Sequence, residues 1–74
     1  MSDRIVHRII TYHMHSRGKD AETCIRLPMT EGYAEMLDRD RIKPTALYCA
    51  LQALALMQGY DSGEYVCTER EDDI

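Results

Sequence analysis

Three consecutive stretches decide the fold: Arg4-Ile5-Val6-His7-Arg8-Ile9-Ile10-Thr11-Tyr12-His13-Met14-His15, then Arg17-Gly18-Lys19-Asp20, then Glu22-Thr23-Cys24-Ile25-Arg26-Leu27-Pro28-Met29. The first is rich in β-branched residues and carries an aromatic, the composition of a strand. The second is a turn in which Gly18 can take positive φ without a Cβ penalty. The third is a return strand, with Pro28 near its end. Together they predict an antiparallel β-hairpin. With Gly18 and Lys19 at the tip, Arg17 faces Asp20, and the pairs are Met14–Thr23, Tyr12–Ile25, Ile10–Leu27 and Arg8–Met29. One face then carries Val6, Ile10, Tyr12, Met14, Ile25, Leu27 and Met29. The other carries His7, Thr11, His13, His15, Glu22, Cys24 and Arg26, with Ile5 and Ile9 among them. This alternation suits a sheet covered on one side.

Beyond the hairpin, Thr30 is placed to cap a short helix from Glu31 to about Asp38, with Tyr33, Met36 and Leu37 apolar. Glu31 complements the helix dipole, while Gly32 weakens the helix. Asp38-Arg39-Asp40-Arg41 is a charged linker. Pro44 opens a second helix that runs to about Gln58, and Gly59 suits its C-terminal stop. Between Ala46 and Met57 only Gln52 is polar. A helix covering one sheet from solvent should keep a polar face. This one is expected to be buried on more than one side. Asp61-Ser62-Gly63 reads as a turn, and Glu64–Thr68 as a possible third strand. The expected fold is α+β, a small antiparallel sheet packed on one long apolar helix, in the order ββαα with a possible final β. Residues 1–68 form the single domain, and 69–74 an acidic, mobile tail.

The chain has 74 residues, 45% of them apolar and 30% charged, which is globular rather than disordered in composition. A chain this short buries only about 60% of its unfolded surface, so it has little material to cover a second helix face. Cys24, Cys49 and Cys67 are odd in number and widely spaced, unlike a disulfide framework, and no CxxC pair occurs. The start of the chain lacks the pattern of a signal peptide, and Ala46–Met57 is far short of the roughly 20 residues of a membrane span. These features predict a cytoplasmic protein with reduced thiols. The formal charge of −4 is unevenly spread: residues 1–29 carry +2, residues 30–60 carry −1 and residues 61–74 carry −5.

Three functional readings follow. In the first, the chain is a non-enzymatic homodimeric module for protein interaction or regulation. Its interface is formed by Leu47, Tyr48, Leu51, Leu54, Leu56 and Met57 of the apolar helix. In the second, His13 and His15 point to one side of a strand and meet Cys24 and Glu22 across the hairpin, giving transition-metal ligands of the zinc type. In the third, Arg4, Arg8, Arg17, Lys19 and Arg26 make the hairpin a nucleic-acid-binding ribbon, although Asp3, Asp20 and Glu22 interrupt them. No Walker-type loop, GxGxxG or HExxH is present, and Cys24 beside His13 lacks a third residue to orient it, so no enzyme activity is expected.

Overall fold

The computed structural model describes residues 4–71. Five elements follow in order: β1 (Ile5–Ser16), β2 (Lys19–Thr30), α1 (Glu31–Arg39), α2 (Thr45–Met57) and β3 (Ser62–Arg70). The strands form one antiparallel sheet in the order β2-β1-β3, so β1 is bonded on both sides. The expected α+β arrangement is therefore present, and the third strand forms. Ile10, Tyr12 and Met14 of β1 share one buried cluster with Leu37 of α1 and Leu47, Leu51 and Ala55 of α2. Both helices thus lie on the same face of the sheet, and among the described residues no element covers the other, open face.

The hairpin is tighter than the sequence suggests. Ser16 pairs with Lys19, which leaves Arg17-Gly18 as a two-residue loop with Gly18 at φ 79°. That is the backbone a type II turn requires of its third residue. Every expected pair is consequently displaced by two residues: Tyr12 faces Thr23, Ile10 faces Ile25 and Met14 faces Ala21. Drawing Lys19 into the strand places its ammonium 4.6 Å from the centre of the Tyr60 ring. Because a shift of two preserves the side-chain alternation, the expected core face survives.

β3 is also longer than expected. Glu69 pairs with Ile9 and Arg70 with Arg8, so the sheet continues past the anticipated boundary at residue 68. A bulge beside Thr11 and Tyr12 makes this possible. Thr11 faces Cys67 while Tyr12 faces Tyr65, leaving Val66 as the extra residue. Without it, either Tyr65 or Thr68 would be turned off the core side. The expectations for Asp72, Asp73 and Ile74 lie outside the described residues.

Local chemistry ends each helix. The Thr30 hydroxyl accepts from the Tyr33 N–H at the start of α1. At its other end the Lys43 ammonium donates to the carbonyls of Leu37 and Asp40. α2 stops in a Schellman arrangement. Gly59, at φ 87°, donates its N–H to Leu56, and the Tyr60 N–H reaches back to Ala55. Tyr60 then packs against the core cluster.

One charge lies on the buried side. Arg8 is only 4% exposed, and its guanidinium donates from Nε and Nη2 to the two carboxylate oxygens of Asp38, at 3.2 and 3.0 Å. Its Nη1 donates to the His7 carbonyl. The forked pair fastens α1 to the central strand.

Three substitutions test this packing. Asp38→Ala should destabilise the fold by about 3–5 kcal/mol, because it removes the carboxylate that neutralises a buried guanidinium, whereas Arg8→Met should cost far less. A Cβ at Gly63 would lie 2.5 Å from the Leu51 carbonyl oxygen and 3.0 Å from Ala55 Cβ. Gly63→Ala should therefore push β3 off α2 and cost about 1–3 kcal/mol. Urea unfolding of the variants reads both effects.

Candidate functional site

The inner side of α2 is committed to its own chain. Leu47, Leu51 and Ala55 are buried, and Leu54 is half-buried against the same cluster. At 3.6 residues per turn, the opposite side is formed by Ala46, Cys49, Ala53 and Leu56, flanked by Ala50 and Met57. All six are exposed, Leu56 at 55% and Met57 at 75%. Tyr48, on the shoulder of the helix, is 42% exposed, and Ile42, just before it, is 86% exposed.

The two glutamines that could have made this side polar are used elsewhere. Gln52 donates to the Asp61 carbonyl and accepts from the Gly63 N–H, tying the turn before β3 to the helix. Gln58 donates to the Tyr12 hydroxyl and to the Leu54 carbonyl. Both therefore support the fold from the flank and the end of α2. The outward surface is left apolar and uncharged from Ala46 to Met57.

Of the six residues expected at an interface, the structure thus divides the set. Leu47 and Leu51 belong to the core of their own chain, and Leu54 mostly so. Tyr48, Leu56 and Met57 face outward. Sequence reasoning missed Ala46, Cys49, Ala50 and Ala53, because small apolar residues give almost no periodic signal. Their spacing opposite Leu47, Leu51 and Ala55 could have revealed them.

The hairpin histidines sit on the open face of the sheet. The observed register sets Cys24 opposite Thr11 rather than His13. His13 faces Glu22 and His15 faces Asp20. Cys67, on β3, lies on the far side of Thr11 from Cys24. His15 Nδ1 lies 2.5 Å from Asp20 Oδ1, and His13 Nε2 lies 3.6 Å from the same oxygen. Among the described residues no three His, Cys, Asp or Glu side chains are gathered so as to hold a metal ion. His13, His15 and Cys24 are therefore on one face without converging.

The hairpin cations are dispersed as well. Arg8 is buried against Asp38, Arg4 pairs with Glu31, Arg26 pairs with Glu71, and Lys19 lies over Tyr60. The open face itself carries Asp20 and Glu22 from β2 and Glu64 and Glu69 from β3, carboxylates that repel a phosphate backbone. At one end of the sheet a small cleft is lined by Arg4, Arg8 and Arg70 together with Glu31, Glu35 and Glu71, an even balance of charge. No helix among the described residues is long and apolar enough to cross a membrane.

The Asp20 carboxylate, by hydrogen bond and charge, raises the pKa of His15 above its ordinary 6.5. The hydrogen bond from His15 holds Asp20 below its ordinary 3.8. Their coupling is complete below pH 6.5 on the histidine side and is lost as pH rises through the folded His15 value. On the carboxylate side it is present above pH 3.8 and is lost as pH falls through the folded Asp20 value. An NMR titration should place the His15 midpoint above the ordinary value, and Asp20→Asn should bring it down. An unchanged midpoint in that variant would show that the pair does not form.

No family model matches the chain, and no curated protein or solved structure matches it either.

Proposed function

We propose that the chain is a non-enzymatic interaction module that self-associates through the outer face of α2, working as a homodimer in protein interaction or regulation. One observation carries the reading: a helix surface with no charge from Ala46 to Met57 faces solvent, while Gln52 within it and Gln58 beyond it are bonded within the chain. An exposed contiguous apolar patch of this kind marks an interaction surface.

A second copy is the occupant that fits best. The surface carries no charge to select a charged partner, and it is self-complementary in relief. Ala46, Cys49 and Ala53 form a low strip between Tyr48 and Leu56 on one side and Ala50 and Met57 on the other. Two such helices related by a two-fold axis can approach closely along the strip and interlock their larger side chains. Three exposed, unbridged thiols fit a reducing compartment such as the cytoplasm.

Cys49 reports on this face directly. In a Cys24→Ser/Cys67→Ser chain, alkylation of Cys49 should slow as protein concentration rises. Ala53→Glu should abolish that protection, because the contact would bury an unpaired carboxylate. The dissociation constant of this contact should rise at least about tenfold. An alkylation rate independent of concentration in the parent chain would refute self-association through α2.

A further inference from the structure

A sheet ordered β2-β1-β3 has two outer edges, and they differ. The β3 edge is broken by the bulge at Val66, a common way to make an edge unsuitable for pairing. The β2 edge has no such interruption. Its twelve residues pair with β1 from Lys19 to Thr30 without a register shift.

Pro28 fixes which backbone groups of β2 point outward. It lies inside the strand, opposite His7, and the pairing continues past it to Thr30. Proline has no N–H, so in an uninterrupted ladder its nitrogen belongs on the side away from β1. Backbone groups alternate along an antiparallel strand, so Cys24, Glu22, Asp20 and Arg26 share the outward orientation of Pro28. All of them are exposed.

The side chains along this edge form a near-palindrome about Cys24. Glu22 and Arg26 are two residues to either side of it, Thr23 and Ile25 one, and Ala21 and Leu27 three. We propose that β2 is a second self-association surface, pairing antiparallel with β2 of another copy about a two-fold axis at Cys24. In that register Glu22 of each chain faces Arg26 of the other, giving two identical ion pairs. The outward N–H and C=O groups of Cys24, Glu22 and Arg26 complete a ladder. The helix-covered face of one sheet continues into that of the other, so Ala21, Ile25 and Leu27, only half-buried at the edge of the core in one chain, gain cover from the residues opposite them.

Neighbouring two-fold registers are poorer. One step toward the turn opposes Arg26 to Asp20, which His15 already engages. One step the other way opposes Glu22 to Pro28. The pair between Arg26 and Glu71 within the chain competes with the new contact and is exposed, so it is a weak rival.

This surface is separate from α2 and does not depend on the reading given above. Two isologous contacts on one chain build a closed four-chain assembly or an open-ended one.

The test uses the full chain carrying Ala53→Glu, which removes the α2 contact, with sedimentation equilibrium as the readout. The Ala53→Glu chain should remain dimeric. Adding Arg26→Glu should raise its dissociation constant at least about tenfold, because both ion pairs become carboxylate pairs. The charge swap Glu22→Arg/Arg26→Glu should restore the dimer. Circular dichroism confirms that each variant is folded. A folded Ala53→Glu chain that is monomeric at every concentration, or a dimer unaffected by Arg26→Glu, would overturn the proposal. Failure of α2 self-association is read separately, as an Arg26→Glu chain with intact α2 that is monomeric.

Discussion

Everything in this structure depends on the two-sided bonding of one strand. β1 is the only strand with a neighbour on each side, and its even-numbered residues from Arg8 to Met14 are all buried. A strand with such alternation must have one face covered, and the helices are the only elements available to do so. Ile10, Tyr12 and Met14 therefore fix where α1 and α2 lie. The bulge in β3 follows from the same demand, since only an extra residue at Val66 keeps both Tyr65 and Thr68 on the side those residues define.

Polar groups then complete what apolar burial begins. Arg8 continues the buried row of β1, and its position would be unfavourable without Asp38 at the end of α1. The Tyr12 hydroxyl is satisfied by Gln58, and Gln52 holds the turn that brings Gly63 against the Leu51 carbonyl. Among the described residues no buried side-chain nitrogen or oxygen lacks a partner. Side chains that could have made α2 soluble on its outer side are the ones the fold uses internally.

Much of this was legible in the sequence. Strand alternation, the Thr30 cap and the Gly59 stop are local features, encoded in a few neighbouring residues, and the structure has all of them. The hairpin register was not legible. Arg17-Gly18 and Gly18-Lys19 are both acceptable tips locally and keep the same core face, so alternation could not choose between them. The burial of Arg8 was hidden for the same reason, because Asp38 lies thirty residues away and is joined to it only by the fold. At the candidate site, the apolar excess of α2 was visible. Its division into a core side with Leu47 and Leu51 and an outer side with Ala53 and Leu56 required knowing where the sheet lies.

The two unsatisfied surfaces share one origin. Five elements give a short chain one buried layer between sheet and helices, and among the described residues no further element covers either the outside of α2 or the edge of β2. Natural edges are usually protected by bulges or by charges that repel a second strand. β3 carries the first kind of protection. β2 carries charge, but Glu22 and Arg26 are of opposite sign and stand symmetrically about Cys24. Such an arrangement discourages pairing in most registers while favouring one. The helix face has no charge at all, so a contact proposed there would select by shape and apolar area. A 13-residue helix is only about 20 Å long, and its face alone falls short of the roughly 800 Å² per partner of a standard interface. The two proposed contacts lie on separate surfaces of one chain. In the proposed contacts the neutral helix face would supply apolar burial, and the charged edge would supply register.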